Sequence, residues 1–199
     1  MSISLTDFVD FVGKTGTRRL THVRAIKARG DYEPAEDFWR RLRNGIVAFH
    51  KTGQSDKRAL TDLGTMLTDP RKRRNYPNAI AGYKKFLGKK RIQWFEPPTA
   101  LWQEGPLAIR VNPELGLVID DTRHIVKLYF KATPLAKNKA DMILLLMAAS
   151  LFDVRDGDMF AILDVQRSKV FSEDEPSDAL MPLLKGEAAS FRTIWDGLS

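Results

Sequence analysis

Between Lys137 and Phe152 the sequence reads as a helix that is apolar almost all the way round, with Met142, Ile143, Leu144, Leu145, Leu146 and Met147 following one another without a polar break. A helix that shows any side to water keeps a polar stripe there, so this one has to be covered on every side. Its apolar run, Met142 to Ala149, falls well short of the roughly 20 residues that cross a bilayer, so the cover must be protein. A layered fold is required, with this helix buried between a sheet and other elements.

The rest of the chain supplies two kinds of partner. Up to about residue 95 the apolar residues recur with helical spacing. Ser4 can cap a short helix through Phe11, and Thr17 can cap a second, to about Arg29, with Leu20, Val23 and Ile26 as its stripe and Gly30 as its stop. A third runs from near Pro34 to Lys51 on Phe38, Leu42, Ile46 and Phe49. A fourth carries Leu60, Leu63 and Leu67 from a Ser55 cap until Pro70, and a fifth runs from Pro77 to Leu87 with Ile80, Tyr83 and Leu87 inward. These five are expected to form a single bundle. Beyond the Pro-rich passage Glu96 to Thr99 the period changes to two. Segments 107–111, 115–120 and 124–131 read as a three-stranded meander turned at Asn112-Pro113 and Asp120-Asp121. After the buried helix come a turn at Asp156-Gly157, a fourth strand over about Met159 to Val170, and a closing helix from Ser177 to Trp195, interrupted near Gly186. The expectation is an α+β protein. Residues 1–95 form an N-terminal helical bundle packed on a small three- to four-stranded sheet with two further helices in residues 96–199, the halves sharing one core.

Charge divides along the same line. Residues 1–95 hold 21 Lys and Arg against 9 Asp and Glu, whereas residues 96–199 hold 11 against 16. The +7 total and the pI of about 9.7 therefore come wholly from the first half. Two windows concentrate it. Lys14, Arg18, Arg19, Arg24, Lys27 and Arg29 lie between Asp10 and Asp31 with no acid among them. Arg71, Lys72, Arg73, Arg74, Lys84, Lys85, Lys89, Lys90 and Arg91 lie between Asp69 and Glu96, again with none. By contrast Arg40 and Arg41 follow Glu36 and Asp37 by four residues and can pair with them along a helix. Unneutralised basic windows point to a polyanion, DNA or RNA, and Tyr76, Tyr83, Phe86, Trp94 and Phe95 offer stacking surfaces among the cations. The competing readings are a solvated face whose aromatics belong to the core, an acidic protein partner or membrane surface, and pairing with the acidic half, for instance through a plug formed by Glu173, Asp174 and Glu175.

The third strand adds a second candidate surface. Alternation places Lys127, Tyr129 and Lys131 on one face against Val126, Leu128 and Phe130 on the other. Glu114, Asp120, Asp121, Lys127 and Asp164 form an acid and lysine set. Their setting over residues 78–170, in the order helix, three strands, helix, strand with an aspartate ending the second strand, resembles the core of the PD-(D/E)XK nucleases. That resemblance implies carboxylates holding a divalent cation and a lysine assisting the attacking water. The motif departs where the family has an acid two residues before the lysine: Ile125 precedes Lys127 and Tyr129 precedes Lys131, while Asp164 is followed by Gln166.

Other chemistry is excluded residue by residue. There is no cysteine, which removes thiolate zinc sites, thiol nucleophiles and disulfides and favours a cytoplasmic setting. The opening MSISLTDFVDF carries acids where a secretory signal needs basic residues. GKT at Gly13 to Thr15 lacks the P-loop's first glycine, with Phe8 in its place, and His22, His50 and His124 share no ligand spacing. The expectation is a nucleic-acid-binding protein without catalytic residues, metal, cofactor or membrane partner. Its contacts would be Arg18, Arg19, Arg71 to Arg74, Lys84, Lys85, Lys89, Lys90, Arg91, Lys127, Tyr129 and Lys131. A metal-dependent nuclease and a protein-protein adaptor with acidic and basic halves are the alternatives.

Overall fold

The computed structural model describes residues 1–29, 37–65, 67–151, 157–173 and 178–198. The expected stop at Gly30, the helix start near Pro34, Glu36, and Asp156, Asp174, Glu175 and Ser177 lie outside them. A short strand β1 (Ser2–Ser4) leads into α1 (Leu5–Val12), where the Ser4 hydroxyl accepts from the Asp7 N–H at 3.0 Å, as the sequence predicts. After the glycine break come α2 (Thr17–Ala28), α3 (Arg40–Lys51) and the short α4 (Arg58–Asp62).

The next helix differs from expectation. Pro70 does not stop a helix; it begins one. Asp69 caps α5 (Pro70–Leu87), its carboxylate accepting from the Arg71 N–H at 2.7 Å and the Lys72 N–H at 3.4 Å. Proline is at home in a first turn, because its missing N–H would have no partner there anyway. Pro77, read from the sequence as a start, sits inside the same helix and removes one donor from its ladder. The run Arg71 to Arg74 therefore belongs to the first turns of an 18-residue helix.

Strands β2 (Ile92–Phe95), β3 (Ala100–Glu104), β4 (Leu107–Val111), β5 (Leu115–Ile119) and β6 (Thr122–Tyr129) precede α6 (Lys137–Ser150). Then come β7 (Met159–Asp164), a 3₁₀ turn (Val165–Arg167), β8 (Lys169–Glu173), a second 3₁₀ turn (Asp178–Leu180) and α7 (Met181–Asp196), which runs unbroken through Gly186. The expected meander is not one sheet. β4 pairs with β3 and, in parallel, with β1, and the chain leaves that sheet at Asn112-Pro113. β5 and β6 join a second sheet in the order β2-β5-β6-β7-β8, where only β6 and β7 run parallel. Asp120 and Asp121, both with positive φ, make the two-residue turn of the β5–β6 hairpin, which keeps the strand twist continuous. The expected fourth strand is really β7 and β8, divided where Ser168 takes a left-handed conformation.

The architecture is α+β, and the single helical bundle gives way to two cores on the two faces of the five-stranded sheet. On one face Ile125, Phe160 and Ile162 pack with α1, α2, α6, α7 and the three-stranded sheet. On the other, Leu115, Leu117, Val126, Leu128 and Leu163 pack with α3, α4 and α5. α6 lies in the first core, against β7, α1 and the β3–β4 pair, which covers its apolar circumference as required. Helices of the first half divide because the sheet has two apolar faces, and each must be covered.

Candidate nucleic-acid interface

The side of α5 that faces protein is set by Tyr76, Ala79, Ile80, Tyr83, Phe86 and Leu87, all buried. At 100° per residue this stripe turns Arg73, Arg74, Pro77, Asn78, Ala81, Lys84 and Lys85 outward. Burial of Tyr76, Tyr83 and Phe86 corrects the expectation that they stack on a ligand. Tyr76 lies parallel to Trp39 at 5.4 Å and donates to the Phe38 carbonyl at 2.8 Å. Tyr83 meets His50 across the α3–α5 contact at 2.6 Å. Burial lowers the His50 pKa to about 4 and raises that of Tyr83 well above its usual value, so the imidazole is neutral near pH 7. Trp94 and Phe95 are half-buried, and the Phe95 ring is covered by Arg123, whose guanidinium carbon is 3.7 Å from the ring centre.

The cations of the second window are largely unneutralised. Arg73, Arg74, Lys85 and Lys89 are exposed and meet no carboxylate among the described residues. Arg71 stands 3.7 Å from Asp69, and Arg91 stands 3.5 Å from Asp121, both in the open. Pairs this exposed are worth roughly 0–1 kcal/mol and yield readily to another anion. The Arg71 N–H, followed by the Lys72 N–H and the charges of both side chains, keeps the Asp69 carboxyl below its usual pKa. Lys72 lies inward over the Phe38 ring at 6.0 Å, Lys84 donates to Thr61 Oγ1 at 3.0 Å, and Lys90 folds back on the Phe86 carbonyl and ring.

The first window behaves differently. Arg18 and Arg24 are exposed and unpaired among the described residues, but Arg19 pairs with Glu187 of α7 at 2.9 Å while covering Phe11. Arg29 pairs with Asp7 at 3.0 Å, and Lys27 donates to the Trp195 and Leu198 carbonyls at the end of α7. These three hold the molecule together and leave the expected contact surface. Asp37 turns to Arg43 at 2.6 Å, not to Arg41 as the four-residue spacing predicts.

The expected basic sheet face does not stand open. Lys127 is only 8% exposed, and its ammonium donates to Glu114 Oε1 at 2.6 Å and to the Asn112 carbonyl at 2.9 Å. Lys131 is paired with Asp10, and the Tyr129 hydroxyl donates to the Thr133 carbonyl at 3.0 Å. The reason is the first core: α1, α2, α6 and α7 cover the face that alternation alone assigned to solvent. The acid set is similarly committed. Glu114 spends its other oxygen on the Leu128 N–H, at 2.8 Å, and buried Asp164 accepts from the Leu135 N–H and from Arg167 at 3.1–3.3 Å. Asp120 sits in the hairpin turn facing the Arg91 N–H. Among the described residues no group of three or more histidine or carboxylate side chains is placed to hold a metal ion.

Sequence reasoning missed one feature. A polar groove of about 380 Å³ runs between α5 and the 3₁₀ turn, lined by Asn78, Ala81 and Lys85 on one side and Gln166, Arg167 and Ser168 on the other. Its walls meet at Gly82, where a Cβ would strike the Val165 carbonyl oxygen, so only glycine lets helix and turn approach this closely. No periodic signal links residues 78–85 with 166–168; the fold alone brings them together. Among the described residues no helix is long and apolar enough to cross a membrane. The chain matches no protein-family model, no curated protein and no solved structure.

Proposed function

We propose that this protein binds nucleic acid, without chemistry of its own and in the cytoplasm, through phosphates laid against the outward face of α5. One observation carries the reading. Arg73, Arg74 and Lys85 share a helix face, Lys89 follows just past its end, and no carboxylate neutralises them among the described residues. Lys84 and Arg71 add charge at the margins of the same face. Several cations elsewhere are neutralised by carboxylates, as Arg19, Arg29, Arg43, Arg123 and Lys127 illustrate. A row of cations left unpaired presents a surface that attracts polyanions and exchanges their counterions.

Fluorescence titration with single- and double-stranded DNA and RNA at two salt concentrations tests this. Binding that weakens steeply as salt rises supports it. Absence of binding to every ligand at low salt, or binding indifferent to salt, overturns it, the latter in favour of a protein partner.

A further inference from the structure

We infer that the groove between α5 and the turn after β7 seats one unpaired nucleotide of a single strand, so that this protein holds single strands more tightly than duplexes. The inference rests on the α5 face being the phosphate-binding surface and adds what the strand does at its edge. Lys85 belongs to both: it stands on the cationic face and lines the groove. A phosphate on Lys85 would therefore leave its sugar and base beside the groove mouth.

Chemistry of the lining suits a nucleotide better than a bare anion. Asn78 offers an amide with donors and an acceptor, and Ser168 offers a hydroxyl, all without partners among the described residues. Gln166 donates its amide N–H to the Phe130 carbonyl at 2.6 Å, which fixes the side chain and leaves its oxygen as an acceptor. Among the described residues no acid lines the groove. Mixed donors and acceptors beside a cation match a base edge or ribose attached to a phosphate, groups that a duplex keeps stacked and paired.

Position in the fold supports the assignment independently. β6 and β7 are the one parallel pair of their sheet, joined through α6, and the 3₁₀ turn directly follows the carboxyl end of β7. Gln166 and Arg167 bind the Phe130, Lys131 and Ala132 carbonyls where the chain leaves β6, so the groove stands at the carboxyl ends of both strands. In open α/β sheets ligands sit in crevices outside the carboxyl ends of parallel strands, and this parallel pair offers the same kind of position. Gly82 holds the two walls in backbone contact, so the seat exists before any ligand arrives.

The test uses fluorescence anisotropy with a short labelled RNA, a DNA of the same sequence and the corresponding duplex. Three variants of the full chain are compared: Ala81→Phe, which fills the groove from an exposed position, Asn78→Ala, and Arg73→Ala/Arg74→Ala. Ala81→Phe should lower affinity for both single strands about tenfold, the loss of one base's contacts, while duplex affinity and salt dependence stay unchanged. Asn78→Ala should do the same more mildly and decides the matter if Ala81→Phe melts early. Arg73→Ala/Arg74→Ala should weaken all three ligands and flatten their salt dependence. If the arginine variant behaves so but filling the groove leaves single strands unaffected, or weakens the duplex equally, the seat is refuted and the α5 surface stands. If the wild type binds none of the three, both fail.

Discussion

His50 is a neutral imidazole sealed between α3 and α5, and protonating it would place a charge in the core. Its pKa is about 4 in the folded protein against 6.5 when unfolded, so between those values the unfolded chain binds the extra proton. Stability should therefore be intact above pH 6.5 and fall as pH drops toward 4, by roughly 3 kcal/mol across the window. Urea unfolding at pH 7 and pH 5 measures it, and His50→Gln should flatten the dependence. A second residue-scale prediction separates structural carboxylates from a metal site. Glu114→Gln leaves the Lys127 ammonium without its counter-charge in the interior and should destabilise by about 3–5 kcal/mol. Asp120→Asn should be nearly neutral, because asparagine accepts the positive φ of the turn. If the protein degraded nucleic acid in Mg²⁺ and Asp120→Asn abolished that, a metal site would exist that these contacts do not show.

At the scale of elements, α5 is the informative case. Its buried stripe is legible in the sequence because Ile80, Tyr83 and Leu87 recur at helical spacing and lack alternatives. Its start is not, since a proline reads as a stop when helix is expected before it and as an opening when a capping aspartate precedes it; here Asp69 decides. Pro77 interrupts the ladder at an exposed position, so Pro77→Ala should stabilise by about 1–3 kcal/mol, seen as a higher Tm with unchanged nucleic-acid affinity. The strands β1, β2 and β3 escape sequence reading because they are three to five residues long and carry little alternation. The covering of the Lys127 face escapes the sequence for a related reason: period two assigns residues to sides of a sheet but cannot say whether a second layer covers the polar side. α6 was readable in kind, its uniform apolarity demanding burial, though not in which elements bury it. The groove was illegible, being made of two segments far apart in the chain.

For the whole molecule, the charge asymmetry seen in the sequence resolves into a division of labour. Carboxylates of the second half neutralise basic residues across the fold, Glu187 with Arg19 and Glu96 with Lys51, or within it, as Asp158 with Arg123 and Asp164 with Arg167. The α5 surface keeps its charge. Replacing Arg73, Arg74 and Lys89 together with alanine should weaken every nucleic acid alike and reduce the log–log salt slope by about 2–3, from roughly 0.7–0.9 per phosphate contact. Arg29→Ala, which removes a cation already paired with Asp7, should change the slope little. Equal effects of both would place the ligand elsewhere.

The five-stranded sheet carries one core on each face, and β6 and β7 give alternate residues to both. Neither core can melt while the other keeps those strands in place, so the two are bound into one cooperative unit. Amide hydrogen exchange should show it: the N–H groups of β6 and β7 should exchange only through global unfolding, and calorimetry should give one transition. A chain whose basic and acidic halves look separable by composition is thereby joined by two adjacent strands.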